Sequence, residues 1–183
     1  MRSRNCSKPA RRSTAALRKL FPALAAFSLL SWGASAQAQM QPVTAAQLGE
    51  AVGACVLATQ GDTDIGEALA ASGWETATVS SDEGPVDMGG LTIRGRSDNS
   101  AVIMTNEADD ETGGGCVVTA RLASTDMYHP SAEAISRNLG APVSREDNTY
   151  YWMVEGRAAQ LAPTGSRDEP SLRFFIMQSK DSE

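Results

Sequence analysis

Residues 44–56, TAAQLGEAVGACV, and residues 116–122, CVVTARL, decide the fold between them. In the first, Thr44 and Gln47 stand three apart as a capping box, and Leu48, Ala51, Val52, Cys55 and Val56 recur at i, i+3, i+4, i+7 and i+8. That spacing predicts a helix whose apolar stripe contains Cys55. In the second, Cys116, Val118, Ala120 and Leu122 alternate with Val117, Thr119 and Arg121, the period of a half-buried strand with Cys116 on its inner side. Both sulfurs therefore point inward, and a bridge between them lays the helix across one face of a sheet.

Outward from this pair, Asp64 and Glu67 form a second capping box before Ile65, Ala68 and Leu69. Gly73 then supplies a left-handed stop, and Trp74 supplies the apolar contact that follows such a stop. Residues 74–80, 91–96 and 101–106 are rich in Thr, Val and Ile and read as strands. Between and after them lie Asp82-Glu83-Gly84-Pro85, Ser97-Asp98-Asn99 and the run 109–115. Ser131 is expected to cap a third helix over 132–138, stopped at Leu139-Gly140 with Pro142 behind it. Strands are expected over 149–155, 158–162 and 172–178, with a polar turn over 163–170 and fraying over 179–183. No repeat appears in the sequence. The sum is one α+β domain over residues 44–178: two layers, three helices on one face of a mainly antiparallel sheet of six or seven strands.

The charge is segregated. Sixteen Lys+Arg stand against twenty-two Asp+Glu, a net of −6, yet seven of the bases lie in the first nineteen positions and no acid precedes Glu50. After that basic stretch comes an apolar run of thirteen, LFPALAAFSLLSW over residues 20–32, too short to span a bilayer. Small residues then lead to Ala36-Gln37-Ala38. This succession is that of a secretory signal peptide over 1–38, cleaved between Ala38 and Gln39 or after Ala36, with 39–43 as a short extension. Without residues 1–38, nine bases face twenty-two acids, a net of −13. A chain so acidic cannot neutralise a row of phosphates or dock onto anionic lipid, which excludes nucleic-acid and lipid-surface binding. The expected partner is a basic protein in the envelope, with no membrane insertion once the signal is gone.

Cys6 leaves with the signal, so Cys55 and Cys116 remain as an even pair and are expected to form a disulfide in an oxidising compartment. The first choice is the periplasm, and the second is the external medium. A redox or metal role is disfavoured, because there is no C-x-x-C and His129 is the only histidine.

No catalytic residue, metal ligand or cofactor site is nominated. His129, beside Pro130, lacks a G-x-S-x-G partner, and Ser97-Asp98-Asn99 lacks the companion motifs of penicillin-recognising enzymes. Asp62-x-Asp64-x-Gly66 resembles the start of a calcium loop, but Gly73 stands where the acidic ligand belongs. The acidic run Asp109 to Glu111 reads as a solvated loop, with calcium as the alternative. Tyr150 and Tyr151 must face opposite sides of one strand, so one of them, with Arg157 or Arg173, is the expected contact patch.

A helix running into Leu139-Gly140-x-Pro142, followed by an aromatic strand around Trp152, resembles the small exported BamE-like and β-lactamase-inhibitor-like α+β modules over residues 131–160. The resemblance implies a protein-binding, non-catalytic module and assigns no role to any single residue. The expected function is accordingly an exported domain that binds a protein or envelope component, inhibition of a secreted enzyme being one form of it. The alternative is a small periplasmic hydrolase using paired carboxylates, without metal or cofactor.

Overall fold

Helix α1 (Ala45–Ala58) begins where its capping box places it: Thr44 Oγ1 accepts the Gln47 N–H at 3.2 Å, and Gln47 Oε1 accepts the Thr44 N–H at 2.9 Å. All five stripe residues are buried. This is a computed structural model, and it describes residues 40–60, 63–81, 84–86, 88–106 and 114–178. The signal segment with its cleavage at Ala38 and Gln39, the run Asp109 to Glu111 and the tail 179–183 lie outside the described residues. Helix α2 (Ile65–Ala71) is capped by Asp64, whose carboxylate accepts the Glu67 N–H at 2.9 Å. It closes in a Schellman turn: the N–H of Trp74 reaches the Leu69 carbonyl and that of Gly73, at φ +82°, reaches Ala70.

The strands follow as β1 (Glu75–Thr76), β2 (Ser80–Ser81), β3 (Gly84–Pro85), β4 (Leu91–Arg96), β5 (Asn99–Asn106), β6 (Gly115–Arg121), β7 (Ser144–Glu146), β8 (Thr149–Val154), β9 (Arg157–Gly165) and β10 (Pro170–Met177). Helix α3 (Tyr128–Leu139) stands between β6 and β7, entered through a 3-10 turn, Thr125–Met127. Eight strands form one antiparallel sheet in the order β1-β4-β5-β6-β10-β9-β8-β7, and β2 and β3 pair separately. The chain thus builds β4 to β6 as a meander, crosses through α3 to the far edge and returns as a second meander that ends beside β6. Each half of the sheet has four strands, β1-β4-β5-β6 after α1 and α2 and β7 to β10 after α3, with strand order reflected about the β6–β10 ladder. Both end strands are two or three residues long, which leaves little open edge for another chain to extend.

The three helices share one core with the sheet, centred on Trp74, Ile103, Trp152, Leu161 and Phe174. Cys55 and Cys116 are joined by a disulfide across 61 residues, with Cα atoms 5.6 Å apart. Among the described residues, no helix is long and apolar enough to cross a membrane.

Four expectations need correction. The strand over 74–80 is broken: Glu75 and Thr76 pair with β4, Ala77 adds one backbone bond to Ile93, and Ser80 belongs to the separate strand β2. Ser131 caps nothing: α3 starts three residues earlier, and Pro130 fits its first turn, where an N–H has no helical acceptor to lose. Ser131 is instead buried within the helix. The stretch from Pro163 is not turn but β9, continuing to Gly165; Pro163 lies beyond the last β8 partner, where its missing N–H breaks no ladder. Finally, the polar strand β7 carries no apolar pattern from which it could be read, and with β1 it raises the sheet to eight strands.

Candidate functional site

Because partners in an antiparallel ladder share a face, the register sorts every strand residue into one layer or the other. Cys116, Val118 and Phe174 face the helices. On the opposite face one row crosses six strands: Ile93, Met104, Val117, Phe175, Gln160 and Tyr151 are successive cross-strand partners. At about 4.8 Å per strand the row is roughly 24 Å long. No helix covers it. Its members are half-buried by one another, and Leu91, Met153 and Met177 stand exposed beside it. The Phe175 ring lies over Gly115, where an added Cβ would come within 3.1 Å of it. Gln160 Nε2 donates to Tyr151 Oη at 3.3 Å. A contiguous apolar surface of this kind, carrying aromatic and methionine side chains, has the composition of an interface core.

The next row holds Val102, Thr119, Arg173 and Ala162 as cross-strand partners, and Arg121 faces the same way one step further along, opposite Ser171. Arg121 and Arg173 are diagonal neighbours on adjacent strands, with Cβ atoms about 7 Å apart. Beside them is a hollow of about 370 Å³ lined by Met40, Thr119, Arg121, Gly165, Glu169 and Ser171. Glu169 approaches Arg121 at 4.0 Å, and the Met40 carbonyl accepts from Arg121 Nη1 at 3.4 Å. The buried Arg121 Nε has no acceptor among the described residues. Arg173 is exposed and has no hydrogen-bond or ion-pair partner among them.

The four residues expected as a contact patch are thereby divided. Tyr151 and Arg173 lie on the open face. Tyr150, 6 % exposed, and Arg157, 5 % exposed, lie on the helix side of the sheet, Tyr150 lining the groove beside His129. The Arg157 guanidinium closes the C-terminal end of α1. It donates to Thr59 Oγ1 and, at 3.4 Å, to the Val56 carbonyl, while its other terminal nitrogen meets Glu155 at 3.3 Å. A cation at the negative end of a helix dipole is stabilising, and the last turn of α1 has no base of its own.

A second cluster surrounds the single histidine. His129 Nε2 lies 3.2 Å from Glu133 Oε1, and Nδ1 lies 3.1 Å from Tyr150 Oη. The carboxylate fixes the proton on Nε2 in the neutral ring, leaving Nδ1 to accept the phenol O–H. Tyr150 also stacks on Trp152 with centroids 6.0 Å apart, and Arg145 sits 5.0 Å from the centre of its ring. A groove of about 470 Å³ adjoins it, lined by Ala132, Ser136, Arg137 and Pro142 among others. The carboxylate, imidazole and phenol form a hydrogen-bonded chain, and the nearby Ser136 hydroxyl, which donates to the Ala132 carbonyl, is not part of it. At the other end of the sheet, Asp98 and then Glu50 hold the Arg96 guanidinium above its ordinary range, partly opposed by desolvation, and Arg96 lies 5.3 Å over Trp74.

Four hollows lined by described residues hold one carboxylate apiece: Glu133, Asp126, Glu50 and Glu169. None supplies the pair that glycoside hydrolysis needs. Among the described residues, no group of three or more His, Cys, Asp or Glu is placed to hold a metal ion. Sequence reading missed the row on the open face, because its members come from six strands and the alternation of each strand does not say which side is covered. A scan against protein-family models and searches of curated proteins and of solved structures find no match to this chain.

Proposed function

We propose that this protein is an exported recognition domain that binds another protein through the open face of its sheet. The observation that carries the reading is the one-sided architecture: eight strands covered by helices on one face, with an apolar and aromatic row flanked by two arginines on the other. The disulfide supports an oxidising compartment, and the signal-like leader supports the periplasm, with release to the medium as the alternative. The net negative charge favours approach of a basic protein at long range. Covering a secreted enzyme's active site is one form such recognition takes. The alternative, hydrolysis by paired carboxylates, draws no support from hollows that hold single carboxylates.

The test is site-specific photo-crosslinking in cells. A benzoylphenylalanine at Phe175 on the open face is expected to give a discrete protein adduct. The same group at Leu57, 66 % exposed on α1, is expected to give none. Adducts at position 57 alone, or none at 175, overturn the reading.

A further inference from the structure

The charges on the open face specify what the partner must bring to it, given the recognition reading above, on which this inference rests. The chain is acidic overall, with twenty-two Asp+Glu against sixteen Lys+Arg, but among the described residues the outward positions of the central strands β5, β6, β10 and β9 carry bases and no acid. Of these strands, β6 and β10 carry Arg121 and Arg173. Among the described residues, the carboxylates of the open face sit on the end strands, Glu75 opposite Gly95 on β1 and Glu146 opposite Thr149 on β7, and in the turn at Glu169.

These two guanidinium groups have donors to spare. Arg173 has no acceptor among the described residues, and Arg121 has only a carbonyl at 3.4 Å and a carboxylate at 4.0 Å. Arg173 rises between Thr119 and Ala162 and lies two residues from Phe175. A partner that covers the apolar row therefore strips water from Arg173 as well. A guanidinium desolvated without an acceptor opposes binding, whereas one met by a carboxylate supports it and fixes the register. We propose that the partner presents carboxylate side chains, set within an apolar segment, to Arg121 and Arg173. A partner that is basic overall still has to bring those acceptors. A second copy of this chain docked face to face about a two-fold axis would set like charges against each other, so it is not the occupant chosen.

Panning the purified protein against a random peptide display library tests this. The enriched peptides are expected to carry Asp or Glu among apolar residues. Arg173→Glu is expected to weaken them about tenfold or more, and Arg173→Gln less. Panning the Arg173→Glu protein itself is expected to enrich Lys or Arg instead. Arg173 is exposed, so both variants are expected to melt like the parent, and the glutamine variant serves if the reversal does not. Peptides that lack acids and ignore Arg173→Glu, yet are lost in Phe175→Ala, overturn the partner chemistry while the open-face reading stands. Peptides indifferent to both substitutions, no enrichment at all, or a dimer in sedimentation that Phe175→Ala dissolves, overturn it as well; the first of these also removes the open-face reading.

Discussion

Replacing Cys55 and Cys116 with alanine is expected to cost this fold about a third or more of an ordinary domain's stability. The bridge closes a loop of 61 residues. The loop-entropy relation gives about 4 kcal/mol for a loop of that size, from freedom returned to the unfolded chain. For a domain of this length, that is a fall in Tm of roughly 12 to 16 °C. Both sulfurs are fully buried, so reductant added to the native protein acts only after opening, and variants are the cleaner measurement. Urea unfolding of Cys55→Ala, Cys116→Ala and the double variant separates linkage from lost packing. Either single change already breaks the bond, so each single is expected to lose about as much as the double, a coupling near 4 kcal/mol. Single losses that sum to the double loss, or a double variant within about 1.5 kcal/mol of the parent, would refute the reasoning.

Three further outcomes follow from the packing. Arg157→Ala removes one donor each from the Val56 carbonyl and the Thr59 hydroxyl, which keep the bonds that the hydroxyl itself makes to the Cys55 and Val56 carbonyls, and takes away the cation at the end of α1, so a loss of about 2 kcal/mol in urea unfolding is expected; Arg157→Lys, without the forked donors, is expected to recover less than half. Gly165→Ala places a Cβ 2.3 Å from the Glu169 carbonyl oxygen at a backbone φ of +77°, so a loss of about 2 kcal/mol is expected, with the turn beside the Arg121 hollow disturbed in NMR shifts. The neighbours Phe174 and Phe175 should separate by layer. Phe174→Ala, at a fully buried position, is expected to lose about 3 to 5 kcal/mol, and Phe175→Ala about 1, measured by thermal and chemical unfolding.

What was legible in the sequence is what short-range chemistry specifies. The capping box at Thr44, the cap at Asp64 and the stop at Gly73 need only three to six neighbouring residues and form as read, except that at Asp64 only half of the expected box is made: its carboxylate accepts the Glu67 N–H, and the Glu67 side chain does not return the bond. The false start at Ser131 arose because a serine before an apolar run has the same local chemistry whether or not a 3-10 turn has already begun the helix. The strand over 74–80 failed for a different reason: β propensity favours strand, but a ladder requires a partner, and β4 pairs with Glu75 and Thr76 and adds one bond to Ala77. The burial of Arg157 was out of reach. It depends on an α1 carbonyl about a hundred positions earlier in the chain, which no local pattern announces. Likewise, the reflected arrangement of the two meanders is a property of connection and not of repeated residues.

The placement of one cysteine links these limits to the site. Alternation divides a strand into two faces but does not label them, and a one-residue slip exchanges them wholesale. The bridge supplies the label: with Cys116 tied to the inner stripe of α1, Val118 and Ala120 must face the helices, and Val117, Thr119 and Arg121 must face away. Register then carries that assignment across the sheet, from Val117 to Phe175, from Phe175 through Gln160 to Tyr151, and from Thr119 to Arg173. Tyr150 goes inward for the same reason that Tyr151 goes outward. A cysteine at position 117 in its place would have committed the opposite residues to the open face. The disulfide is therefore more than a cross-link on the unfolded chain, since it also selects which half of every strand remains available to a partner.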